Sequence, residues 1–83
     1  REQSTTVLII EDEPLMHVLE ELVARLGHTV SGTAATRTQA RAAVAEAVPG
    51  LVLADIQLAD GSSGLDAVDD ILAADTMPVI FIT

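Results

Sequence analysis

The chain has 83 residues, 49% of them hydrophobic, and sets 13 acidic residues against four arginines with no lysine and no cysteine, for a formal net charge of −9. That balance excludes direct recognition of nucleic acid through this segment, because phosphates must be neutralised by basic side chains. It also excludes chain-long disorder, a disulfide framework and a thiolate metal site.

The length suits one small domain. No apolar run reaches the roughly 20 residues that cross a bilayer, and the opening residues do not read as a signal peptide. The expectation is a cytoplasmic domain, away from membranes, whose partners are cations and basic protein surfaces.

Thr5 to Ile10 is short, β-branched and continuously apolar, the pattern of a strand buried on both faces. Leu15, Val18, Leu19, Leu22, Val23 and Leu26 then recur at helical spacing and predict an amphipathic helix. Pro14 suits its first turn, and Gly27 suits the position just past its end. His28 to Ala34 alternates weakly and reads as an edge strand. Thr36 or Thr38 caps a second helix whose narrow stripe is Ala40, Ala43, Val44 and Ala47, and Pro49 with Gly50 ends it.

Leu51 to Asp55 is a second buried-type strand, followed by the glycine- and serine-rich loop IQLADGSSG. Ser63 with Asp66 resembles a capping pair opening a third helix, with Leu65, Val68, Ile71 and Leu72 as its inner face. Pro78 to Ile82 closes as an apolar strand. The order β-α-β-α-β-α-β predicts an α/β fold: a doubly wound parallel sheet with helices on both faces. The last strand is apolar with no helix after it, and exposed apolar edges are avoided in finished sheets. The expected reading is therefore a domain spanning 1–83 that lacks further C-terminal elements, with residues 1–4 as a linker remnant.

In such sheets, ligands bind beyond the carboxyl ends of the strands, near the point where strand order reverses. Glu11 and Asp12 follow the first strand, Asp55 ends the third, and Thr83 follows the fourth. Three converging carboxylates repel one another unless a hard cation lies among them, and Mg²⁺ takes such oxygen ligands together with water and phosphate. A carboxylate left free beside the metal can attack phosphorus, and Asp55, single and followed by a flexible loop, is the candidate nucleophile.

The segments IIEDEP, LVLADIQLADGSSGLDAV and PVIFIT, in this order and at these spacings, together resemble the receiver domains of response regulators from Val7 to Thr83. The resemblance implies a flavodoxin-like, CheY-like sheet of strand order 2-1-3-4, ending here before the fourth helix and fifth strand. It implies Mg²⁺ held by Glu11, Asp12, Asp55 and the backbone carbonyl of Gln57. It further implies phosphoryl transfer to Asp55 from a histidine kinase or phosphotransfer protein, and Thr83 as the switch hydroxyl. The family's phosphate-contacting lysine, expected after a fifth strand, has no counterpart among these residues. The loop after Asp55 lacks the common Met-Pro pattern and is similar to that of PhyR-type general stress regulators. That similarity implies an output domain outside this chain and an anti-sigma factor as partner.

Other readings remain open from the residues. Glu11, Asp12 and Glu13 would also favour the N-terminus of the helix behind them, and Glu13 is assigned to that role. Asp66, Asp69, Asp70 and Asp75 read as a solvated helix face, Asp60-Gly61 as a turn, and His17 and His28 as surface or helix-end residues. An aspartyl-phosphate hydrolase of the haloacid dehalogenase type needs an aspartate where Gln57 stands. A dinucleotide site needs a G-x-G-x-x-G after the first strand, and none is present. A receiver-like interaction domain that works without phosphorylation is the alternative, and a signalling receiver is expected rather than a metabolic enzyme.

Overall fold

The computed structural model describes residues 5–12, 14–58, 61 and 63–82. Residues 1–4, Glu13, Asp60 and Thr83, which carry expectations above, lie outside the described residues.

Four strands form one parallel sheet: β1 (Thr6–Ile10), β2 (Thr29–Ala34), β3 (Leu51–Ala54) and β4 (Val79–Phe81). Their order is β2-β1-β3-β4, so β1 and β3 are the central pair and the strand order reverses between them. Three helices connect them: α1 (Leu15–Arg25), α2 (Arg37–Glu46) and α3 (Gly64–Ala74).

The aliphatic run of β1 is continuous because both of its faces are covered. Leu8 and Ile10 point to one side, where Val52, Ala54, Ala40, Val44, Ala67, Val68 and Ile71 join them beneath α2 and α3. Val7 and Ile9 point to the other side, against Met16 and Val23 of α1. Successive strand residues alternate between the faces, so one apolar run supplies both cores.

The helix ends follow local chemistry. Thr36 Oγ1 accepts from the Gln39 backbone N–H at 3.1 Å, while Gln39 Oε1 accepts from the Ala35 N–H at 2.8 Å. That reciprocal pair makes Thr36 and not Thr38 the cap of α2. Ser63 caps α3 through the Leu65 N–H. Gly27 takes φ +87°, a conformation that disfavours a Cβ, where α1 stops.

Two helix faces differ from the sequence expectation. In α1 the buried residues are Met16 and Val23, whereas Leu15, Val18 and Leu22, and Leu26 just past its end, are exposed, Val18 by 57%. In α3 the buried set is Gly64, Ala67, Val68 and Ile71, and Leu65 and Leu72 face outward. Val68 and Ile71 are buried as expected, but the small Gly64 and Ala67 take the inward places that the bulk of Leu65 and Leu72 suggested for those two. Asp70 is also not simply solvated: Arg37 donates to both of its carboxylate oxygens, at 2.6 and 3.0 Å, and ties α2 to α3. That pairing holds the Asp70 carboxyl below its usual range and raises Arg37.

Candidate metal centre

Each strand ladder runs one residue past its strand, and those extra bonds build the rim. The Glu11 N–H donates to Ala34 O at 2.9 Å, the Asp55 N–H to Ile10 O at 2.8 Å, and the Ile82 N–H to Ala54 O at 2.9 Å. Since Ile10 pairs with Ala54 and Ala54 with Phe81, the residues just beyond share one edge of the sheet. The acidic pair and Asp55 therefore converge because the register requires it.

Glu11, Asp12 and Asp55 each offer a carboxylate oxygen within 4.8 Å of the others. Their environments are unequal. Glu11 is 1% exposed, itself one of the largest fully buried side chains, while Asp12 and Asp55 are half-buried. Glu11 Oε1 accepts from the Asp12 N–H at 3.1 Å, but its Oε2 is buried with no hydrogen-bond partner among the described residues. A buried carboxylate oxygen without a donor is costly, by about 1–3 kcal/mol or more when charged. Burial, with the Asp55 carboxyl beside it as a lesser cause, pushes Glu11 up from 4.5 to about 7.

An orphaned buried oxygen beside two further carboxylates is a donor set of the hard-cation type. Mg²⁺ fits it, because the ion takes oxygen ligands and would relieve the crowding that a proton on Glu11 relieves otherwise. Gln57 stands beside the cluster: its backbone N–H lies 3.4 Å from Asp55 Oδ1, so the chain turns tightly after the strand. Of the expected set, the structure brings together the carboxylates of Glu11, Asp12 and Asp55, and it sets the backbone N–H of Gln57 near Asp55.

The histidines stay outside this centre. His17 pairs with Glu20 at 3.1 Å on exposed α1, and His28 Nδ1 accepts from the Thr5 N–H at the opposite rim. Sequence reasoning missed Gly64, whose backbone lies directly against the Asp55 carbonyl. The available signal was a glycine opening a helix straight after a capping serine, a place where a side chain is ordinarily welcome.

Against known proteins, the response regulator receiver domain family model matches residues 7–83. The phyllosphere-induced regulator PhyR of Methylorubrum extorquens is 61% identical over 84 residues, 99% of this chain and 32% of that protein. The solution structure of the Erythrobacter litoralis PhyR receiver domain superimposes with a TM-score of 0.91 at 72% identity, over 96% of this chain and 63% of that one. The crystal structure of the anti-anti-sigma factor PhyR of Bartonella quintana, complexed with the anti-sigma factor NepR, gives 0.86 at 56% identity, over 94% and 33%. The chain thus spans about a third of the two longer relatives.

Proposed function

This chain belongs to the response regulator receiver domain family, similar to the receivers of PhyR-type regulators, and we propose from that premise that it accepts a phosphoryl group on Asp55. The observation that carries the reading is the convergence of the Glu11, Asp12 and Asp55 oxygens within 4.8 Å at the switch point of the sheet. Glu11, Asp12, Asp55 and the Gln57 carbonyl would hold Mg²⁺. When bound, the ion supplies positive charge that offsets the carboxylates and the incoming phosphoryl oxygens.

The remaining work falls to this chain's own groups. The Asp55 carboxylate attacks phosphorus; the new P–O bond forms as the bond from phosphorus to the donor's imidazole nitrogen breaks, and no electrons change hands. The donor is a histidine kinase or phosphotransfer protein, and small acyl phosphates serve in its place. The Asp55 N–H bond to Ile10 and the tight turn to Gln57 hold the nucleophile still while this happens. Thr83, next in sequence to Ile82, is the proposed switch hydroxyl, a role carried by the family resemblance. Phosphorylation then biases a two-state surface toward a partner. An output domain outside this chain would sequester an anti-sigma factor, a reading supported by the Bartonella quintana complex.

The test is beryllofluoride with Mg²⁺ on the full-length regulator, followed by amide chemical shifts in the receiver. Shifts that require both reagents and vanish in Asp55→Ala are expected. Partner binding that persists unchanged in Asp55→Ala, with no response to either reagent, favours the phosphorylation-independent alternative.

A further inference from the structure

The peptide of Asp55 is clamped from two directions. Its N–H donates to Ile10 O of β1, and its carbonyl lies against the first residue of α3. A Cβ built on Gly64 would overlap the Asp55 carbonyl oxygen, approach the Asp55 carbonyl carbon to 2.8 Å, and lie 3.3 Å from Ile56 Cα. These are backbone atoms, which cannot rotate away as a side chain can. The Gly64 N–H donates to the Ile56 carbonyl, Gln57 and Ser63 form an antiparallel bridge, and Ser63 caps the helix. Gln57 and Ser63 are thereby held side by side, which joins the arc carrying Asp55 to the opening turn of α3.

We infer that Gly64 is a positioning residue for the phosphoacceptor site: its bare Cα lets α3 seat on the Asp55 peptide and fixes the 55–57 arc. The inference rests on the proposed phosphoacceptor role. It assigns a task to a residue that touches neither metal nor phosphoryl group. Gly64 is buried and its φ is not positive, so the requirement is space and not backbone conformation. Any side chain at 64 must displace either α3 or the arc. Because α3 is anchored by Ala67, Val68 and Ile71 in the core, the arc yields.

The test uses the full-length regulator with Gly64→Ala, and Gly50→Ala as its counterpart. Gly50 lies at the amino end of β3, where an added Cβ would press on the Thr5 hydroxyl at the opposite rim. Mg²⁺ affinity and the rate of phosphorylation by acetyl phosphate at saturating Mg²⁺ are measured alongside thermal stability. Gly64→Ala should weaken Mg²⁺ binding about tenfold or more and slow phosphorylation by a similar factor, as is usual when support behind metal ligands is disturbed. Gly50→Ala should change stability and leave both site readouts at wild-type values. Equal Mg²⁺ affinity and rate in Gly64→Ala and wild type overturns the inference, as does parallel loss in both variants.

If Gly64→Ala does not fold, Ser63→Ala decides. Releasing the Leu65 N–H loosens the first turn of α3 and should weaken Mg²⁺ binding about threefold, while unchanged affinity overturns the inference. A wild-type protein indifferent to Mg²⁺ and acetyl phosphate would instead remove the phosphoacceptor reading itself, a distinct outcome.

Discussion

Glu11→Gln separates the burden of the metal centre from its use. A carboxyl raised from 4.5 to about 7 keeps its proton in the fold and loses it in the unfolded chain between those values. Stability therefore falls as pH rises from about 4.5 to about 7 and is flat above. The full penalty at pH 8 is about 3 kcal/mol, at 1.36 kcal/mol for each tenfold change in proton affinity, or about 2 after water relaxes into the rim. Glutamine keeps the shape without the charge. Urea unfolding of the complete receiver in EDTA should show Glu11→Gln more stable than wild type by about 2 kcal/mol at pH 8, about 10 °C in Tm, and nearly equal at pH 4.5. Saturating Mg²⁺ should narrow or reverse the order, because ligand binding stabilises the wild type in proportion to its affinity and the variant far less. A variant that is less stable at pH 8 without metal, or gains equally at both pH values, would refute the reasoning.

Other outcomes follow from the same contacts. Mg²⁺ must displace the Glu11 proton, so calorimetry in two buffers should record proton release below about pH 7 and tighter binding as pH rises to that point. Asp55→Asn should abolish phosphorylation by acetyl phosphate, weaken Mg²⁺ binding and leave the far-ultraviolet circular dichroism of the fold intact. Thr36→Ala should cost about 1 kcal/mol in urea unfolding through loss of the α2 cap, without altering Mg²⁺ affinity. Arg37→Ala and Asp70→Asn should each give a small loss of stability that salt diminishes, and the double variant should be no worse than either.

Much of the architecture is legible in the chain because a doubly covered parallel strand needs an unbroken aliphatic run, and Val7 to Ile10 and Leu51 to Ala54 provide them. The site is legible for the same reason: the residue after such a run stands at the carboxyl rim, which places Glu11 and Asp55 from the sequence alone. Helix faces were less accessible. Periodicity finds an apolar arc but not its orientation, and α1 is apolar over a wider arc than β1 and β2 cover. In α3 the large Leu65 and Leu72 outweighed Gly64 and Ala67, although close packing favours the small pair. The Arg37–Asp70 bond depends on how α2 and α3 lie side by side, which no local pattern encodes. The protonation of Glu11 likewise depends on depth of burial and not on residue type.

The most direct test is chemical. The full-length regulator is treated with acetyl phosphate and Mg²⁺, any acyl phosphate is reduced with borohydride, and the peptides are sequenced by mass spectrometry. Homoserine in place of Asp55, absent when EDTA replaces Mg²⁺, is the expected result. Reduction at another carboxylate, or equal labelling with and without the metal, would contradict the account.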